Sequence, residues 1–349
     1  MDITTFAVVK IFILATLAFI SAGAMTPLMS HYLYKYKLGK SIRTSDKAPI
    51  FYEHHKQKSG TPTMGGIMIW LTVVILAGVL AVLAQFGGEF FEKFNFLTRS
   101  ETLLPLGALL AAALVGLFDD YLNVRGIGPN GGGLRVKHKL LIYTLIALIG
   151  ALWFYFKLDW DLLYIPFVGD FQIGFWYIPF FMLVIIASAF SMNEADGLDG
   201  LAGGMVAVNF LTLGAIAFMQ GRFDLASFCA VIVGALMAFL WFNIPPARFF
   251  MGDTGSMSLG ITLGVVAMLT DTAFILPIIG IVFVIESLSV IIQVLSKKFR
   301  KKKVFLSAPW HHHLEAKGWP EAKIVMRLWV ITTLFSLMGF IIYMLDKYV

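Results

Sequence analysis

Apolar runs of about 20 residues, following one another through a 349-residue chain, constrain this sequence more than any other feature. Hydrocarbon offers no partner for backbone N–H and C=O groups, so such a chain folds as a helix bundle or a closed barrel, and unbroken apolar runs select helices. Composition agrees: 59% of residues are hydrophobic and only 14% charged, against about 25% charged in soluble domains, and the mean hydropathy is +0.83. The expected fold is all-α, a polytopic membrane helix bundle forming one domain over residues 1–349. Spans are expected near 6–29, 64–85, 102–121, 139–157, 174–191, 200–219, 225–242, 256–271, 273–295 and 325–345, about ten in all. The first run exceeds a signal-peptide core and lacks a basic segment before it, so it reads as a retained span. Cys229 is the single cysteine, which excludes an internal disulfide and a thiolate metal cluster and leaves a packing role.

Charge sets the orientation. With the N-terminus outside, the inner loops carry Lys35, Lys37, Lys40, Arg43, Lys47, Lys56, Lys58, Arg125, Arg135, Lys137, Lys139, Arg248 and the cluster from Lys297 through Lys323, whereas the outer segments keep Lys93, Arg99, Lys157, Arg222 and Lys347. The positive-inside rule therefore puts both termini on the periplasmic or extracellular side. The net charge of +6 fits basic loops lying against anionic head groups and calls for no nucleic-acid partner.

On that topology the chemically informative residues collect at the cytoplasmic helix ends. Five loops contribute: KSGTPTMGG (58–66), LFDDY (117–121), Asn193 with DGLDGLAGG (196–204), FMGDTGS (250–256) and PWHHHLE (309–315). Grouped carboxylates at a membrane rim repel one another and resist desolvation. A divalent cation relieves both costs, and Asp119, Asp120, Asp196, Asp199 and Asp253 offer the hard oxygen ligands that suit Mg²⁺ or Mn²⁺ together with substrate phosphates. Gly252 and Gly255 flank Asp253 at an expected helix start, where free N–H groups favour an anion. Phe249 and Phe250 offer a base-stacking face, and lysines at 56, 58, 137 and 139 can neutralise a diphosphate.

Each piece has a plainer reading. Asp-Asp at a helix end is more often a solvated terminus than a metal site, and glycine-rich turns usually serve backbone geometry. Three consecutive histidines cannot share one direction on a helix; phosphate binding or proton handling near neutral pH suits His311, His312 and His313 better than a transition metal without cysteine partners. The run from Lys297 to Lys303 reads as a lipid-facing basic patch. Glu286, inside the ninth span with Gln293 seven residues on, is equally open to a structural and a functional role.

In this order and on these loops, the five motifs resemble the polyprenyl-phosphate N-acetylhexosamine-1-phosphate transferases, over about residues 20–345. GTPTMGG and the triple-histidine loop resemble the branch that transfers phospho-MurNAc-pentapeptide rather than the one that transfers GlcNAc-1-phosphate. The resemblance implies ten spans in the bacterial cytoplasmic membrane, an active site facing the cytoplasm, Mg²⁺ dependence, a homodimer, and conversion of UDP-MurNAc-pentapeptide and undecaprenyl phosphate to lipid I and UMP. By similarity Asp253 is the metal-binding aspartate. Asp119 and Asp120 are the pair whose first member deprotonates the lipid phosphate, and His311 opens the essential triplet. Lys56, Thr61, Asn193, Asp196, Asp199, Asn243, Phe250 and Gln293 line the nucleoside and sugar-phosphate site, with Phe250 stacked on uracil.

This chain departs from the pattern at Ser191-Met192-Asn193-Glu194-Ala195, at Asn123 where a lysine is usual, and in the glycine-rich stretch 126–133. The expected chemistry is attack of the lipid phosphate on the β-phosphorus of the donor, directly or through an aspartyl-phosphate; both fit the same residues. The alternatives are a sister UDP-N-acetylhexosamine transferase and a transporter or flippase. The latter places coupling groups near the bilayer midplane rather than at one face.

Overall fold

The computed structural model describes residues 2–39, 58, 60–98, 101–128 and 132–348. In chain order these form α1 (Ile3–Lys35), α2 (Ile67–Phe86), α3 (Glu89–Phe94), α4 (Leu103–Val124), α5 (Val136–Lys157), β1 (Leu162–Ile165), β2 (Gly169–Gln172), α6 (Tyr177–Ala195), α7 (Leu201–Met219), α8 (Phe223–Asn243), α9 (Asp253–Leu269), α10 (Leu276–Ile279), α11 (Ile281–Phe299), α12 (Trp310–Ala316) and α13 (Glu321–Tyr348).

Every apolar run expected as a span is helical. Eight of these helices are long and apolar enough to cross a bilayer: α1, α2, α4, α5, α6 with its preceding turn, α7, α8 and α13. Among them the outer faces of α1, α5 and α13 leave side chains such as Phe12, Ile20, Leu145, Ile149, Leu334 and Ile341 exposed. Large apolar residues bare to the surroundings on helix after helix are what a lipid solvent requires, and the chain is a multi-pass membrane protein. The other two expected spans fall on α9, which has 17 residues, and on α10 with α11, which are separated at Gly280.

The expectation of an all-α chain needs one correction. β1 and β2 form an antiparallel hairpin with Leu162 opposite Gln172 and Ile165 opposite Gly169. Phe167 and Gly169 at positive φ turn the chain between them, and the segment is too short and too rich in aspartate for another span. The Asp346 carboxylate at the end of α13 holds the hairpin, accepting from the Tyr164 hydroxyl and, at 2.6 Å, from the Phe167 N–H.

The core is built around α9, whose residues from Thr254 to Leu269 are all buried. Small residues let its neighbours approach. A Cβ on Gly116 of α4 would lie 2.3 Å from the Asp253 carbonyl oxygen, and one on Gly260 would lie 2.9 Å from the Ala189 Cα of α6. Ser188 Oγ fills that contact by donating to the Gly260 carbonyl at 2.7 Å. Such close backbones are the usual means of helix association where apolar burial gives no advantage over lipid.

Chain alternation brings one set of helix ends together: the C-termini of α1, α4, α6, α8 and α11 and the N-termini of α2, α5, α7, α9 and α13. The turn after α1 belongs to this set. Lys37 takes φ 50°, Leu38 N–H returns to the Leu33 carbonyl, and Thr63 N–H donates to the Leu38 carbonyl at 2.9 Å.

Candidate active site

The N-terminus of α9 organises this face. Gly252 takes φ 74°, turning the chain so that the first N–H groups of α9 point at α4. There the buried Asp120 carboxylate accepts from Asp253 N–H at 3.1 Å and Thr254 N–H at 3.0 Å, with the Thr63 hydroxyl at 3.4 Å. A carboxylate capping from another helix satisfies orphan donors and complements the helix dipole. One expectation is corrected here: the N–H groups of Asp253 and Thr254 are taken by Asp120 rather than offered to a substrate anion. The neighbours Asp119 and Asp120 face different elements because consecutive helical residues point about 100° apart.

Asp119 turns towards α5. It accepts the Leu134 N–H and pairs with Lys139 Nζ at 2.9 Å; the same ammonium also meets Asp253. The other Asp253 oxygen accepts from Asn193 Nδ2 at 2.7 Å, and Asn193 also reaches Ser256 Oγ at 3.1 Å. Four elements thus converge on one half-buried carboxylate, with Asp119 and Asp253 both facing a single cation.

A second cluster lies beside it. Lys58 Nζ sits 2.7 Å from Asp199 and 2.6 Å from Glu321 at the start of α13. Asp199 also accepts from Ala247 N–H at 3.0 Å. Asn243 joins two loops: its Oδ1 accepts from Gly200 N–H at 2.9 Å and its Nδ2 donates to the Phe249 carbonyl at 2.8 Å. Phe249, one of the two expected stacking rings, is wholly buried against Phe239 and Phe242 and cannot receive a base. Phe250 stays half-buried, its backbone paired with Pro62 and Gly65. Thr61 lies half-buried in the same extended stretch, and Asp196 ends α6. Lys56 lies outside the described residues.

The three histidines diverge, as helix geometry requires. His311, wholly buried, sits with Nδ1 3.0 Å from Glu286, whose carboxylate also accepts the His311 N–H at 3.2 Å. Burial opposes a charge on this imidazole, but the Glu286 carboxylate outweighs it and holds the pKa above the ordinary histidine value. His311 Nε2 and Glu286 Oε1 have no hydrogen-bond partner among the described residues, and Nε2 lies over Gly197, where a Cβ would come within 2.2 Å. His312 pairs with Glu315 at 2.6 Å. His313 accepts the Leu306 N–H at 3.2 Å, and burial and the Lys317 ammonium push its pKa down. Gln293 binds the backbone of Val304 and Phe305, so in this structure it holds the loop leading to the histidines.

For a divalent metal, the donor set is a pair rather than a cage. Among the described residues no group of three or more His, Cys, Asp or Glu is arranged to hold a metal ion. Asp119 and Asp253 nevertheless bring oxygens to one cationic centre, now the Lys139 ammonium. Two hard carboxylates with further positions left to substrate oxygens fit Mg²⁺. Lys139 as the bridge and Glu321 as the partner of Lys58 and Asp199 are not separable by sequence reasoning, since a single Lys or Glu at a helix start carries no motif.

Comparison with known proteins shows which family the chain belongs to. A family model, glycosyl transferase family 4, matches residues 102–271, and phospho-N-acetylmuramoyl-pentapeptide-transferase signature 1 matches residues 58–69. The chain is 39% identical over 340 residues to the phospho-N-acetylmuramoyl-pentapeptide-transferase of Chloroflexus aggregans, covering 94% of this chain and 88% of that one. It is 38% identical over 328 residues to the protein of that name from Geobacillus sp., covering 93% and 94%. It is 39% identical over 328 residues to that of Bacillus anthracis, covering 93% and 95%. With that likeness extending through the loops that carry Asp119, Lys139, Asn193 and Asp253, the chain belongs to the phospho-N-acetylmuramoyl-pentapeptide-transferase family.

Proposed function

We propose that the chain transfers phospho-MurNAc-pentapeptide from its UDP-linked donor to undecaprenyl phosphate, giving lipid I and UMP. The observation that carries this reading is the convergence of Asp119, Lys139, Asn193 and Asp253 at the helix-end face of a membrane bundle, where a water-soluble donor and a lipid-held acceptor can meet. An oxygen of the lipid phosphate attacks the β-phosphorus, the new P–O bond forms as the bond to UMP breaks, and UMP leaves with the electron pair.

Phosphoryl transfer is mostly positioning and charge neutralisation. Asn193 fixes the orientation of the Asp253 carboxylate, and Asp120 fixes the helix that bears it. Lys139 is poised to follow a phosphate oxygen once its two carboxylates are otherwise engaged. Asp119 is the base for the acceptor phosphate. His311, backed by Glu286, presents Nε2 towards the 196–199 turn, where it can donate to a phosphate or sugar oxygen. Asp196, Asp199, Thr61, Lys56, Phe250, Asn243, Gln293, His312 and His313 complete or support the nucleoside side. Asp253 with Asp119 would hold Mg²⁺, which when bound supplies charge neutralisation on the diphosphate.

The same reading has ten crossings, α9 and the α10–α11 pair being the eighth and ninth in chain order, with both termini outside and the site facing the cytoplasm across the inner membrane. Support comes from the lysine- and arginine-rich loops on this face. A homodimer is the assembly that the resemblance implies.

The test is turnover of detergent-purified protein with UDP-MurNAc-pentapeptide and undecaprenyl phosphate, with and without Mg²⁺, following UMP and lipid-linked product. Metal-dependent lipid I formation that Asp253→Ala abolishes is the expected result. Turnover with UDP-GlcNAc alone would move the chain to a sister activity, and no turnover with either donor in folded protein would overturn the transferase reading.

A further inference from the structure

A groove of about 810 Å³ opens on the face of α4 opposite Asp119. Leu114, Phe118 and Tyr121 of α4 form one wall and Leu38 of the turn after α1 faces them; Lys35, Lys37 and Arg125 stand along its margin. Positions 114, 118, 121 and 125 share one helical face. Asp119 lies about 100° round from Phe118 on the side away from the other lining positions, whereas Asp120 lies about 60° beyond Leu117 and is buried against α9. A phosphate in the groove is therefore separated from Asp119 by the body of α4.

Leu114 and Phe118 are exposed, so the apolar wall is continuous with the lipid-facing surface. The three cations collect at its polar end, and among the described residues no carboxylate lines the groove. Arg125 is steadied over the Tyr121 ring, 5.3 Å from its centroid, and Lys35 lies 5.9 Å from that of Tyr36. An apolar trough ending in three positive charges is complementary to one amphiphile, a chain-bearing phosphate.

We propose that this groove is a binding site for an anionic phospholipid of the bilayer, its phosphate held by Lys35, Lys37 and Arg125 and its acyl chain lying along Leu114 and Phe118. The occupant is bulk lipid rather than the polyprenyl acceptor because the groove gives its phosphate no route to Asp119. Its influence on the active site is indirect. Leu38 beside Lys37 accepts the Thr63 N–H at 2.9 Å, and the Thr63 hydroxyl contacts Asp120 at 3.4 Å, so a lipid clamped between Lys37 and Arg125 braces the turn behind the cap of α9.

The full-length protein in neutral detergent is titrated with phosphatidylglycerol, phosphatidylcholine or undecaprenyl phosphate, and bound lipid is counted by native mass spectrometry. The variants are Lys35→Gln/Lys37→Gln/Arg125→Gln, Leu114→Trp to fill the trough without changing charge, and Lys93→Gln/Lys157→Gln/Lys347→Gln as a matched loss of scattered charge elsewhere. Each cation near a lipid phosphate is worth about fivefold in affinity, so the first variant, which removes three, is expected to weaken phosphatidylglycerol retention by about two orders of magnitude. Leu114→Trp should weaken it as well, with phosphatidylcholine scarcely retained by any form and the matched control behaving as the parent. Unchanged phosphatidylglycerol binding in both groove variants would overturn the proposal, as would equal loss in the matched control or selective loss of undecaprenyl phosphate. If the triple variant fails to fold, Leu114→Trp decides alone: weakened phosphatidylglycerol retention supports the site, and retention equal to the parent's overturns it.

Discussion

Replacing Asp120 by asparagine tests whether the second aspartate of the pair is a structural cap. The carboxylate accepts two backbone N–H groups at 3.1 and 3.0 Å and is 4% exposed. Hydrogen bonds to a charged group contribute about 1.5–3 kcal/mol each. Asparagine keeps one acceptor, turns an NH₂ against the second N–H and removes the charge that complements the helix dipole, for a loss of about 2 kcal/mol. Alanine leaves both donors unsatisfied and should cost about 4 kcal/mol. At about 2–4 °C per kcal/mol for a chain of this size, Asp120→Asn lowers the melting temperature by about 4–8 °C and Asp120→Ala by about twice that. Asp119→Asn is the contrast: its amide oxygen still accepts the Leu134 N–H and Lys139 keeps Asp253, so the cation stays paired and the loss of stability stays below that of Asp120→Asn. Tryptophan fluorescence melts in detergent, with turnover per folded molecule measured in parallel, separate the two. If Asp120→Asn melts with the parent while turnover disappears, the cap assignment is wrong and Asp120 belongs to the chemistry.

Three further outcomes follow from the same geometry. Because Glu286 raises the His311 pKa, the pair's contribution is fully present below about pH 6.5, the ordinary histidine value, and is lost as pH climbs through the raised one. Melting curves from pH 5.5 to 9 should show that alkaline loss in the parent and not in Glu286→Gln; identical slopes would exclude it. Lys139→Met leaves Asp119 and Asp253 facing each other without their cation and should destabilise by about 3 kcal/mol, with added Mg²⁺ raising its melting temperature more than the parent's; equal Mg²⁺ responses would remove Asp119 and Asp253 as the metal pair. Gly197→Ala puts a Cβ within 2.2 Å of His311 Nε2, displacing the ring; turnover should fall at least about tenfold with a loss of stability near 1–3 kcal/mol, and unaltered turnover would free His311 from any role at that atom.

Periodicity and motif order make the helical segments and the five converging loops legible in the sequence alone. What stays hidden there depends on direction rather than on residue type. Asp119 and Asp120 read as one motif, yet one carboxylate serves a cation and the other serves a helix. Phe249 and Phe250 are adjacent aromatics of which only the second remains accessible. Glu286 can be placed in its helix, but its partner stands 25 residues away beyond a polar loop, a pairing that no local pattern encodes. The 162–172 hairpin escapes sequence reading because its strands are four residues long and lack the alternation that marks a half-buried strand. Glu321 and Lys58 act on Asp199 from opposite parts of the chain, and each alone resembles an ordinary surface charge.

The enclosure of α9 has a consequence for how this lineage can vary. At its N-terminus Asp253 is held by Asp120, Lys139 and Asn193, and further along Gly260 and Gly264 lie against Ala189 and Ile185 of α6. A residue inserted between these two anchorages would rotate one relative to the other by about 100° and separate them by about 1.5 Å. Either Asp253 would leave its partners or two larger side chains would be driven into α6. Length changes should therefore be found in the hairpin, in the loop before α12 or at the start of α1, while the 17-residue helix keeps its length even where its side chains drift.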